Sequence, residues 1–115
     1  MRLHLALAVL AVFATASFAD EIRNGAAMRV KENSMWFEEA GQLARWQDRK
    51  KGDQAAFAAY QDNILRHREA WQFIYAQDVK ILRYEPAKNR VHVLMTGEGR
   101  MRDTRWFVEP DAIVK

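Results

Sequence analysis

The sequence predicts an α+β fold in which a helical hairpin packs on a small antiparallel sheet, behind an export leader. Three observations carry this reading. Arg2 and the apolar run Leu5 to Ala14 lead into small residues; apolar side chains recur at helical spacing between Trp36 and Gln77; and from Val79 the period falls to two.

The leader comes first. Its apolar run is about ten residues, inside the roughly 7–15 of a secretory signal core and short of the roughly 20 that cross a bilayer. Ser17 and Ala19 suit a peptidase that accepts small side chains one and three positions before the cut, so residues 1–19 are expected to be a signal peptide cleaved after Ala19. Ala14 and Ala16 offer a second cut, after Ala16, and an uncleaved anchor is the alternative. No Cys follows the run, which excludes a lipid-anchored lipoprotein. The expected location is therefore the periplasm or the exterior.

Removing 19 residues from 115 leaves 96, enough for one domain spanning 20–115. The formal charge of +3 loses Arg2 with the leader, and the remaining signs are mixed. Arg45, Arg49, Lys50 and Lys51 alternate with Asp48 and Asp53, and Arg66 and Arg68 with Asp62 and Glu69, which argues against nucleic acid as a partner. With no Cys, stability has to come from packing, and four Trp, three Tyr and the four of six Phe that follow the leader supply the area.

Asp20 to Gly25 is polar and reads as a frayed start. Met28 and Val30 alternate with Arg29 and Lys31, which predicts a first strand. Asn33 and Ser34 offer a cap, Glu38 and Glu39 follow, and Trp36, Ala40, Leu43 and Gln47 lie three to four apart, predicting a helix that ends near Lys51. Gly52 suits a left-handed cap and Asp53 the start of a second helix. Phe57, Tyr60, Ile64, Trp71 and Ile74 form one stripe with no Pro or Gly from Gln54 to Gln77, so this helix is expected to run about twenty residues. The short Gly52-Asp53 link folds the helices into a hairpin, bringing Trp36 and Leu43 against Trp71 and Ile64.

Val79 to Tyr84 and Arg90 to Met95 alternate around Glu85-Pro86-Ala87-Lys88-Asn89, where Pro presets one dihedral and Asn tolerates the left-handed region. Gly97-Glu98-Gly99 makes the next turn, Thr104 to Val108 a third strand, and Asp111 to Val114 a turn and last strand after Pro110.

The segment Val79 to Val114, with its Gly-rich turn and Trp-Phe-Val strand before Pro-Asp-Ala-Ile, resembles the later strands of a small Src-homology-type β-barrel. That resemblance implies a barrel with Met28 to Lys31 as first strand and the helical hairpin inserted in the long first loop. In peptide-binding members a groove forms from aromatics in that loop and a Trp early in the third strand; here helices replace the loop and the Trp-Phe pair sits late. The stretch Arg29 to Phe37, followed by Leu43 and Trp46, also resembles small exported bacterial proteins, which implies export and no particular activity.

Chemical motifs are few. Glu38 and Glu39 point about 100° apart on a helix and cannot flank one bond. After the leader only His67 and His92 remain, with no His-x-x-x-His spacing, so no metal and no cofactor is expected. No Ser has a nucleophile-elbow context, and Gly97-Glu98-Gly99 lacks what phosphate cradling requires. These features point away from an enzyme and toward an exported binding module. The first expectation is protein–protein interaction in the envelope through Trp46, partly exposed between Arg45 and Arg49. Cell-wall or glycan binding through Arg105, Trp106 and Phe107 near a sheet edge is the second. Inhibition of, or service to, an envelope enzyme is the third.

Overall fold

A computed structural model describes residues 21–115, and the leader expected over 1–19 lies outside the described residues. The elements in order are β1 (Ala27–Val30), β2 (Met35–Trp36), α1 (Ala40–Lys50), α2 (Gln54–Arg66), β3 (Trp71–Gln72), β4 (Gln77–Glu85), β5 (Arg90–Met95), β6 (Arg105–Val108) and β7 (Ile113–Val114). Five strands form one antiparallel sheet in the order β6-β5-β4-β1-β7, and β2 pairs with β3 in a ribbon. The fold is α+β. Edge strands β6 and β7 do not pair, so the sheet stays open and the barrel closure implied by the resemblance does not occur. The helical hairpin lies in the connection between β1 and its neighbour β4.

The period-two residues form the sheet as their spacing predicts. Val79, Ile81, Val91, Val93, Met95, Trp106 and Val108 are all buried on one face, with Val30 and Ile113 beside them. Between β4 and β5 a 3-10 turn starts at Pro86 and closes with Asn89 at φ 51°, so both residues fill the conformations they favour. A bulge between Ile81 and Arg83 restores the alternation one residue later.

Corrections fall at the helix ends. Ser34 caps nothing; α1 begins at Ala40, with Glu39 in the N-cap position and no side-chain cap. Met35, Trp36 and Phe37 are consecutive and all buried, a demand that a helix face meets poorly and an extended chain meets by alternation. Trp36 enters the sheet core, while Met35 and Phe37 enter a second core with Leu43, Trp46, Ile64 and Ala70. Phe37 also caps the free edge of β6: its N–H donates to the Phe107 carbonyl at 3.0 Å, and the Phe107 N–H donates back at 2.6 Å.

At the hairpin, Lys51 ends α1 in a right-handed conformation and Gly52 is not left-handed, contrary to expectation. Asp53 caps α2 as predicted, its carboxylate accepting from the Ala56 N–H at 2.9 Å. The second helix stops at Arg66, well before Gln77. Arg68 turns left-handed at φ 59°, its N–H donates to Leu65 at 3.2 Å and the Glu69 N–H to Ile64 at 2.8 Å. These two bonds form a Schellman closure made without the usual glycine. Trp71 therefore reaches Trp36 across the β2–β3 ribbon rather than from a helix, and Leu43 meets Ile64 in the second core as the hairpin predicts.

Candidate functional site

The chain between β3 and β4 carries the most unusual surface of the molecule. Ile74 and Tyr75 are adjacent and stand 69% and 73% exposed, whereas most other large apolar side chains are buried or half-buried. Residues that have left a helix stripe here have nothing to pack against. The helical spacing puts Ile74 with Trp71 on a buried face; the early end of α2 instead delivers it to solvent.

The loop is held at its β3 end by Asn33. The Phe73 carbonyl accepts from the Asn33 N–H at 2.7 Å, and the Gln72 amide donates to the Asn33 carbonyl at 2.8 Å. Asn33 can meet both because it turns left-handed, at φ 64°, in the tight β1–β2 connection. Phe73 anchors the loop by setting its ring edge-on to Trp36 at 5.3 Å and to Trp106 at 6.3 Å. Trp71 stands edge-on to Trp106 at 6.0 Å, with the Arg68 guanidinium 5.7 Å from its ring centroid. The indole N–H groups of Trp36 and Trp71 are buried without an oxygen partner among the described residues, within a cluster where rings meet edge to face. Beside the base opens a cleft of about 310 Å³, lined in part by Asn33, Ser34, Trp46, Gln61 and Gln72.

The residues singled out from sequence are scattered. Trp46 is only 7% exposed, so the expected half-exposed interface residue is core: Phe37 and Phe57 pack against it, its N–H donates to Gln61 at 2.9 Å, and the Lys50 ammonium caps its ring at 4.0 Å. Arg49 lies over Tyr60 at 4.5 Å and Arg45 is exposed on the helix. Trp106 is 3% exposed, its N–H donating to Thr104 at 2.7 Å, so the ring proposed for sugar stacking faces the core. Arg105 is exposed on the opposite face of the sheet, and Phe107 is half-buried there, stacked on His92. Sequence reasoning missed Ile74 and Tyr75. The available signal was Trp71-Gln72-Phe73, an alternation that already departs from helical period.

Among the described residues no three His, Cys, Asp or Glu side chains converge as a metal site requires, and no helix is long and apolar enough to cross a membrane. The fold and this surface define an α+β domain with an anchored, apolar display loop. Comparison with known protein families, with characterised proteins and with solved structures returns no match.

Proposed function

We propose that this chain is an exported binding module of the cell envelope that contacts a protein partner through Ile74 and Tyr75. One observation carries the reading: two large apolar residues stand in solvent on a loop whose base is fixed by backbone hydrogen bonds and a ring anchor. Leaving them exposed forgoes about 1.5–3 kcal/mol of burial for Ile74 alone, which a partner recovers on binding. A fixed base lowers the ordering cost of association, and tyrosine adds a large contact at small entropic cost. Of the two rings named for the glycan alternative, Trp106 is buried and Phe107 is half-buried against His92.

The test is retention of an envelope protein from the native host by the immobilised domain. The wild type should retain a discrete band that Ile74→Ser/Tyr75→Ser loses while its melting temperature stays unchanged. Equal retention by both, or selective sedimentation with insoluble peptidoglycan, contradicts the proposal.

A further inference from the structure

A second surface, remote in character from the apolar loop, lies on the outer face of β4, β5 and β6. Register fixes its composition: Lys80 opposes Leu94, which opposes Arg105; Arg83 opposes His92, which opposes Phe107; Glu85 opposes Arg90. Four cations thus share three strands with two carboxylates, Asp78 and Glu85, and Asp78 is paired with Arg29 of β1 at 3.0 Å. Glu85 is also engaged, accepting from Arg90 at 2.9 and 3.3 Å with Arg83 at 4.0 Å. Among the described residues neither Lys80 nor Arg105 forms an ion pair, and both are exposed. Where this face meets the helical core, against which Phe107 packs, the His92 ring lies flat on Phe107, centroids 4.2 Å apart and planes 7° apart, with half-buried Leu82 and Leu94 nearby in the strands.

We propose that this face docks an acidic segment of a partner protein, with Lys80, Arg83 and Arg105 taking its carboxylates and the His92–Phe107 stack its apolar side chains. Charge complementarity selects the sign of the ligand. Arg83 on β4 and Arg105 on β6 stand two strands apart, about 10 Å across the sheet at roughly 4.8 Å per strand, a spacing that carboxylates borne along an extended chain can span. Apolar rings set among the cations, and Glu85 between two of them, suit a mixed peptide better than the uniform phosphate field of a membrane or a nucleic acid.

His92 reports occupancy. Burial first, then the Arg105 and Arg90 charges, holds its imidazole below the usual histidine range, with Glu85 opposing. The groups around it are Arg83 and Glu85 on β4, Arg90 on its own strand and Arg105 on β6. The Lys50–Glu109 pair that α1 brings to the Arg90 end is internally neutral. An acidic chain laid on this face reverses the local sign, so binding raises the proton affinity of His92 and tightens as pH falls.

The probe is a fluorescein-labelled octaglutamate peptide followed by anisotropy at low salt, with the His92 ring followed by proton NMR. Arg83→Gln/Arg105→Gln should weaken binding about tenfold or more, while Lys31→Gln/Lys51→Gln, exposed cations off this face, changes it by less than about twofold. The His92 titration should move upward when the peptide saturates. Ile74→Ser/Tyr75→Ser should bind the peptide as the wild type does, so this surface is judged separately from the loop. Equal weakening in the two charge variants, a His92 titration that does not move, or tighter binding to phosphatidylglycerol vesicles or single-stranded DNA overturns the proposal.

Discussion

The Trp46 indole makes its case by what surrounds it. Two aromatic rings, a hydrogen bond to Gln61 and the Lys50 cation enclose it, so truncation leaves a cavity and an unpartnered amide. Trp46→Ala should destabilise the domain by about 3–5 kcal/mol, measured by urea denaturation; a loss below about 1 kcal/mol would mean the ring is peripheral. His92 gives a second residue-scale expectation. Its proton affinity is lower in the folded chain than in the unfolded one. The associated stability is therefore present above about pH 6.5 and lost as pH falls below it. Glu85, held low chiefly by its Arg90 hydrogen bond, adds a second loss at more acid pH, below the ordinary carboxylate value. The melting temperature should fall from about pH 7.5 to about pH 5.5, and His92→Gln should flatten that slope. Superimposable profiles would remove His92 from the account.

At the scale of elements, the end of α2 shows what a single sequence reveals and what it hides. The strands were legible because β-branched alternation, a Pro-initiated turn and Asn89 all demand the same backbone. So was the Asp53 cap. The stop at Arg66 was not, since an arginine at φ 59° carries no signature and Trp71 and Ile74 continue the helical spacing by coincidence. Misreading that stop hid Ile74 and Tyr75, and with them the candidate site. The start of α1 failed for a related reason: Ser34 and Glu38 imitate a cap while Met35, Trp36 and Phe37 are claimed by two cores on opposite sides of an extended chain. Arg68→Gly tests the Schellman closure. Relief of left-handed strain should stabilise the domain by about 0.5–1 kcal/mol in thermal or urea unfolding, and Arg68→Val should destabilise it. The opposite order would show that the Arg68 contact with Trp71 outweighs the backbone.

The whole molecule is two cores stitched by one short strand. β2 sends Trp36 one way and Met35 and Phe37 the other, and Phe37 ties the helical side to the edge of β6 through two backbone bonds. Helices and sheet should accordingly unfold together, with far-ultraviolet circular dichroism and tryptophan fluorescence giving coincident urea transitions. An earlier loss of helix would mean the cores are independent. The Ile74–Tyr75 loop leaves the β2–β3 ribbon through Phe73, whose ring packs on Trp36, and the proposed function rests on that loop meeting a partner. The most direct measurement is photo-crosslinking in the native host with a photoreactive amino acid at position 75. One discrete protein adduct is expected from position 75 and none from position 45 on α1; an adduct from position 45 alone, or the same smear from both, contradicts partner binding through the loop.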